Sequence, residues 1–489
     1  MRFDRHRKRR LIYNDDAYQQ TNQHTRKHWY NVTDEQSFID ARTTPTFDTH
    51  VDTYVWCVGN GCDPPWGPVW GPKHRGPVWP ALGSSKRATD LIIEACHAKQ
   101  MEIWGSLRMN DLHDHELDLD ETNDPLKAEH PEYLIGKSDD RNLPEENIER
   151  MLRTAFNFER PEVRDYRLDF IRRNAAAHDF DGYELDFSRW IWNFPLGREL
   201  ELAPLMTDFV RAVRSELNAI ARQRGRPYTL AVRVMDSIES SHLLGQDIET
   251  WLSQELVDVL VVGMGLMPFT LNLESWRAVG ERYGAPVYPS FCARPPFPWC
   301  PEIAGQPYAW QEYLRGAAAW WWHNGVDGIY LFNYFTHVDV RGLDSERVHA
   351  PLTEIGDQAE LAGKNKLYGI EPLAVAGMFS QGSEIAPLPI PLDIHERRLS
   401  LKMGPDANDP AARFRIHAQT TGGDAGTKVW MRLNHTVLEP QIRDGCYSAD
   451  LPPGIMRAGR NDLTVWCSSE LGKTDNPIIV HEVLTRVEY

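Results

Sequence analysis

Short hydrophobic runs recur along the first two-thirds of the chain, and each one stops at polar or charged residues. Leu11-Ile12-Tyr13 stops at Asn14-Asp15-Asp16, and Thr53-Tyr54-Val55-Trp56-Cys57-Val58 stops at Gly59-Asn60. Residues 102–107 stop at Arg108-Met109-Asn110-Asp111. Further runs lie at 182–187, 228–233, 257–263, 287–292 and 328–332. Runs of this length, bounded by turn chemistry, predict strands. Between them the apolar spacing turns helical. Ala88, Leu91, Ile92 and Ala95 mark a helix over about 85–100 with a serine cap, and others are predicted near 162–180, 204–223 and 310–324. Strands alternating with helices predict parallel βα units, and eight is the number that closes a (β/α)8 barrel. A doubly wound open sheet is the weaker alternative, because no Gly-x-Gly-x-x-Gly turn follows the first run.

Past about Gly363 the pattern changes. Pro387-Leu388-Pro389-Ile390-Pro391-Leu392 reads as a linker or an edge segment, and short strands follow near 413–416, 428–433, 462–466 and 478–486. The expected architecture is a barrel over 1–365 and a small all-β sandwich over 366–489.

In such a barrel the chemistry collects where strands end, at the C-terminal face. Asp181-Gly182-Tyr183-Glu184-Leu185-Asp186-Phe187-Ser188-Arg189 is the richest of these ends. Glu184 and Asp186 share one strand face and lie roughly 7 Å apart along it, one layer above the other. Buried carboxylates are costly without a purpose, although an ion pair with a nearby Arg is an ordinary structural use. Paired carboxylates are also the working parts of glycoside hydrolysis. Asp186, nearest the mouth, is the candidate nucleophile or base, with Glu184 as its support. The acid must come from another strand, where Asp111, Asp114, His113 and Asp236 are the candidates and Asp111 or Asp236 the preferred partners. Other strand ends supply candidate substrate contacts: Asn14, Asp15, Asn60, Trp66, Trp70, Arg108, Asn110, His113, Arg189, Arg233, Arg294, Asn333 and His337. Arg108, Arg189, Arg233 and Arg294 all fall at or just after strand ends. Such a set suits an anionic substituent, or else each Arg orients a neighbouring carboxylate. Asp111, His113 and His115 have the residue types of a metal site, the main rival chemistry.

Composition narrows the partners. The chain has 489 residues and a formal charge of −17, which argues against nucleic acid or an anionic membrane. No run approaches the roughly 18 apolar residues of a membrane span. The basic start lacks an apolar stretch after it, so a cytoplasmic location is expected, or a periplasmic or secreted one if a leader has been removed. Seven Cys form no zinc spacing, and the odd number leaves at least one thiol free. The 17 Trp equal the Tyr and the Phe in number. Indole rings stack on flat sugar faces, and they also fill cores.

The fourth-strand segment from Phe180 to Arg189 resembles the "DG-x-x-LD" signature of bacterial glycosyl-hydrolase-like TIM barrels. Arg9-Arg10-Leu11-Ile12-Tyr13-Asn14-Asp15-Asp16 and Leu107-Arg108-Met109-Asn110-Asp111-Leu112-His113-Asp114 resemble the first- and third-strand signatures of one branch of that family. The resemblance covers about 8–360 and implies that Asp186 is the telling carboxylate. The chain lacks the D-x-x-D-x-D-x-E strand of chitinases. It also has no carboxylate in Tyr288-Pro289-Ser290-Phe291-Cys292, where barrels with paired Glu carry one. Ala458-Gly459-Arg460-Asn461-Asp462-Leu463-Thr464-Val465 resembles the galactose-binding-like sandwich that accompanies such barrels. The expected function is a cofactor-free glycosidase acting on an acidic or decorated glycan. A metal-dependent hydrolase and a non-catalytic glycan-binding barrel are the alternatives.

Overall fold

The computed structural model describes residues 7–17, 34–58, 86–122, 124–145, 147–188, 190–292, 303, 306, 308–334, 345–371, 387–424 and 426–489. Eight parallel strands close into a barrel in chain order. They are β1 (Leu11–Asp15), β2 (Val51–Cys57), β3 (Glu102–Arg108), β4 (Gly182–Asp186), β5 (Thr229–Val234), β6 (Val259–Val262), β7 (Val287–Cys292) and β8 (Ile329–Phe332). Strand β1 pairs with both β2 and β8, which completes the ring. The (β/α)8 barrel expected from the eight runs is therefore what the chain forms.

Alternation sorts the side chains into two cores. Ile12, Val55, Trp104, Ala231, Val259, Val261, Tyr288 and Tyr330 pack together inside the ring. Leu11, Tyr13, Trp56, Ile103, Tyr183 and Leu185 face the helices. The floor of the barrel is polar: Arg9 pairs with Glu102 at 2.6 Å, and Thr53 Oγ1 donates to Glu102 at 2.6 Å.

The fourth-strand motif divides its labour by height. Asp181, below the strand, binds His97 at 2.9 Å, the Ile103 amide at 3.1 Å and Arg226. Gly182 leaves room for Trp104, whose ring a Cβ would approach within 2.6 Å. Glu184 and Asp186 then occupy successive interior layers.

The C-terminal part is antiparallel. Its strands are β9 (Lys366–Ile370), β10 (Ile390–Pro391), β11 (Arg397–Met403), β12 (Arg413–Thr421), β13 (Val429–Leu433), β14 (Thr436–Leu438), β15 (Gln441–Arg443), β16 (Cys446–Asp450), β17 (Gly459–Cys467) and β18 (Ile479–Glu488). One sheet runs β10-β18-β12-β16-β15 with β9 added on β18, and the other runs β11-β17-β13-β14. The Pro-rich segment supplies β10 at a sheet edge, where a missing N–H is tolerated.

The barrel helix Ala309–His323 packs directly on the β domain. At Gly316 a Cβ would fall 1.9 Å from Leu367 O, and Arg486 of β18 pairs with Glu312 at 3.0 Å. Among the described residues no helix is long and apolar enough to cross a membrane.

Candidate active site

Asp186 ends β4 in register with Arg108 on β3 and Arg233 on β5. Arg233 Nη1 donates to Asp186 Oδ1 at 2.9 Å, and the Ser188 amide donates to the same oxygen at 3.0 Å. Arg233 Nη2 donates to Met264 O at 3.1 Å, and its guanidinium lies 3.5 Å from the Phe332 ring centre. Neither side chain of the ion pair is more than 3% exposed. Charge-assisted contacts in so dry a place are strong and directional.

Asp236, just past β5, accepts the Met264 amide on Oδ1 at 3.1 Å. Burial raises its carboxyl above the usual range, against the opposing pull of the Met264 amide and Arg233. The residue Met264 thus holds Arg233 through its carbonyl and Asp236 through its N–H.

Arg108 stands on the other side of Asp186. Its guanidinium reaches Asp111 at 3.3 Å, Asn333 Oδ1 at 3.4 Å and Asp16 at 3.8 Å. Asn14 ties the ring closed here by accepting the Asn333 amide at 3.0 Å. Asn333 takes a left-handed conformation, φ 46°, to make that turn. Asp111 is a poor proton donor. Burial would raise its carboxyl, but His113 at 2.6 Å and then Arg108 outweigh burial and hold it well below the usual range. Cys57, ending β2, is a neutral thiol pushed up to about 12 by burial.

One layer down, Glu184 Oε1 accepts from Ser106 Oγ at 2.6 Å and Tyr330 OH at 2.9 Å. Burial, and then the Asp186 charge, push its carboxyl up to about 7. The native protein therefore holds a proton that the unfolded chain releases near pH 4.5. Stability attributable to this group falls as pH rises from about 4.5 to about 7, with a slope of at most about 1.4 kcal/mol per pH unit. Glu184→Gln should flatten that decline in urea unfolding curves taken across the window. An unchanged slope would show that Glu184 is ionised throughout.

Several expected residues are placed otherwise. Asp15 lies on the opposite strand face from Asn14 and turns out of the barrel, where Arg42 at 2.6 Å and Tyr54 OH at 2.7 Å take its carboxylate. Asn110 clamps backbone, donating to Phe156 O and Trp192 O at 2.9 and 2.8 Å and accepting the Phe156 amide. Asp114 is buried in an ion pair with Lys127 at 2.7 Å. His113 packs edge-on against Trp190, 5.2 Å between ring centres. His115 Nδ1 is bonded to Leu112 O at 2.8 Å. Among the described residues no group of three or more His, Cys, Asp or Glu converges as a metal site.

Asn60, Trp66, Trp70, Arg189, Arg294 and His337 lie outside the described residues. Six tryptophans (Trp56, Trp104, Trp192, Trp251, Trp276 and Trp321) are fully buried, so packing explains much of the Trp excess. Sequence reasoning missed Ser106, Tyr330, Phe332 and Met264. Strand parity points Tyr330 and Phe332 inward, but nothing local marks the Met264 backbone.

No protein-family model matches the chain, and no curated protein matches it. Solved structures similar to it include an alpha-amylase from Anoxybacillus, 13% identical, covering 95% of this chain and 98% of that one with a TM-score of 0.40. An alpha-amylase from Geobacillus thermoleovorans, complexed with acarbose, is 12% identical over 93% and 98% with a TM-score of 0.40. An alpha-L-fucosidase from Paenibacillus thiaminolyticus is 14% identical over 73% and 50% with a TM-score of 0.43.

Proposed function

We propose that this chain is a glycoside hydrolase, with Asp186 as nucleophile or base and Asp236 as general acid. The observation that carries this reading is the contrast between two carboxyls at the barrel mouth. Asp186 is held in a buried ion pair with Arg233 at 2.9 Å, while Asp236 makes no such pair among the described residues and burial raises its carboxyl. A carboxylate fixed by a guanidinium suits the nucleophile or base, and a carboxyl raised by burial suits the acid. Asp236 would protonate the glycosidic oxygen as the bond to the anomeric carbon breaks. Asp186 would attack that carbon, forming a glycosyl-enzyme that water, deprotonated by Asp236, then hydrolyses; or Asp186 would deprotonate the water that attacks the carbon directly. Asp111, held ionised by His113 and Arg108, is better suited to accepting hydrogen bonds from sugar hydroxyls.

The substrate side of the reading shifts with the ion pairs. Arg108 and Arg233 are engaged by Asp16, Asp111 and Asp186, so these two lend no support to an anion pocket. Carboxylates around the mouth favour a hydroxyl-rich glycan.

A reducing-end assay over neutral and acidic oligosaccharides and polysaccharides tests the proposal. Release of reducing sugar that survives a chelator is expected. Saturable binding without turnover would favour the glycan-binding alternative, and loss of turnover with chelator would favour the metal-dependent one.

A further inference from the structure

The strand-to-helix segment after β6 is the hinge of the site just described, since Met264 holds both Arg233 and Asp236. What fixes that segment lies largely outside the barrel ring. Cys292 of β7 donates to Gly265 O at 2.7 Å, and Trp321 Nε1 donates to Pro268 O at 3.0 Å. The remaining anchor comes from the C-terminal side of the molecule. Glu371, directly after β9, accepts the Phe269 amide on Oε1 at 2.8 Å and the Tyr313 hydroxyl on the same oxygen at 2.9 Å. The Phe269 ring packs edge-on against Tyr313 at 5.4 Å and lies 5.8 Å from Tyr368 of β9.

Glu371 is 1% exposed, and its second oxygen makes no hydrogen bond among the described residues. A buried carboxyl is costly, and one whose hydrogen bonds among the described residues come from a loop amide and a helix hydroxyl ties those two elements together at that cost. Lys402 of β11 is the cation that faces it, lying over the Trp320 ring at 5.7 Å. Helix Ala309–His323 contributes Tyr313 to the same place, and Glu482 of β18 acts on Tyr313 electrostatically. The loop contributes the Phe269 amide and ring and no charged group.

We infer that Glu371 is a positioning residue for the proposed glycosidase site: it fastens the 264–271 loop at Phe269, and so sets the Met264 peptide that orients Arg233 and Asp236. The β domain, on this account, is part of the catalytic apparatus because β9 delivers the anchor. Glu371 touches no substrate and acts through the loop. The inference rests on the catalytic reading above for its effect on rate, while its effect on the loop is independent of that reading. Burial pushes the Glu371 carboxyl up to about 7 and the Lys402 amine down to about 8, consistent with a dry junction.

The test uses the full chain in three variants. Glu371→Ala removes the acceptor, Glu371→Asp withdraws it by one methylene, and Glu371→Gln keeps an acceptor oxygen without the charge. Hydrogen exchange followed by mass spectrometry reads peptides covering 264–271. Exchange there should rise about tenfold or more in Glu371→Ala, rise less in Glu371→Asp, and stay near wild type in Glu371→Gln. If Glu371→Ala fails to fold, Glu371→Asp against Glu371→Gln carries the same comparison. Unchanged exchange in folded variants overturns the clamp, whatever the enzyme does.

On a substrate found in the reducing-end assay, kcat should fall about tenfold in Glu371→Ala with KM little changed. The alkaline limb of its pH profile should move down by about half a unit or more as Asp236, faced by Arg233 and the Met264 amide, becomes wetter. Glu371→Gln should restore both. Faster loop exchange with an unmoved pH limb overturns the coupling to Asp236 while leaving the clamp intact. If no glycan is cleaved by wild type, the catalytic reading fails and the exchange result still decides the clamp.

Discussion

Replacing Asp186 by Asn is expected to lower kcat by about a thousandfold or more while leaving KM within a few-fold. The amide is isosteric and keeps an acceptor for the Ser188 N–H, but it leaves the buried Arg233 charge without its anionic partner, so some loss of stability is expected as well. What it loses is the negative charge that must attack the anomeric carbon or take a proton from water. Losses of that size are ordinary for a group acting in the transition state. The alternative use of Asp186, as a purely structural mate for Arg233, predicts the same loss of stability but kcat preserved in the folded fraction. Steady-state kinetics together with a urea unfolding curve separates the two.

The second large effect is expected at Arg233. Its guanidinium bridges Asp186 and the Met264 carbonyl inside a dry mouth and lies against Phe332. Arg233→Met removes the cation and leaves the Asp186 charge buried without a partner. Breaking a buried pair in this way costs about 3–5 kcal/mol. The variant should unfold at markedly lower urea, and kcat should fall because both the carboxylate and the Met264 peptide lose a tether. Arg233→Lys keeps the charge but cannot reach two acceptors with a planar fork. It should be intermediate in stability and still badly impaired in rate. A near-normal kcat in Arg233→Lys would show that the bridging geometry is unimportant.

These expectations depend on how the motif DG-x-E-L-D resolves by height, which strand alternation makes legible. Glu184 lies in the middle layer and Asp186 at the mouth, as a strand with a two-residue repeat requires, while Asp181, of the other parity, lies below the strand with His97 and Arg226. The same rule separates Asn14 from Asp15: adjacent strand residues face opposite ways, so only one of them can point inward. A list of strand ends ignores that parity and collects both. The barrel itself was legible because its eight apolar runs are dense and regularly interrupted.

Other features were hidden because they are made by distant partners. Asn110 looks like a mouth residue until Phe156 and Trp192 arrive to occupy its amide. Asp111 looks like a candidate acid until His113 folds back on it. By position alone the four arginines suit an anion pocket or a set of carboxylate partners equally. Arg108 and Arg233 meet carboxylates, and a sequence does not state which charge pairs with which. Glu371 lies 102 positions from the amide it anchors, beyond any local pattern. Strands β14 and β15, with three residues each, are too short to carry a periodicity; β9, β11 and β16 also escaped prediction, although β11 alternates over seven residues and was legible.

The division of labour between Asp186 and Asp236 is the central claim, and leaving-group dependence tests it most directly. Rates should be measured for wild type, Asp186→Asn and Asp236→Asn on paired glycosides, one with an acidic phenol as leaving group and one with an unactivated alcohol. A phenol that departs without protonation bypasses the general acid but still needs the carboxylate. The account predicts that in kcat/KM, which reports the first bond cleavage, Asp236→Asn stays near wild type on the activated glycoside and loses at least about a hundredfold on the unactivated one. Asp186→Asn should be inactive on both. Equal loss by Asp236→Asn on the two substrates, or retained activity in Asp186→Asn on either, would contradict it.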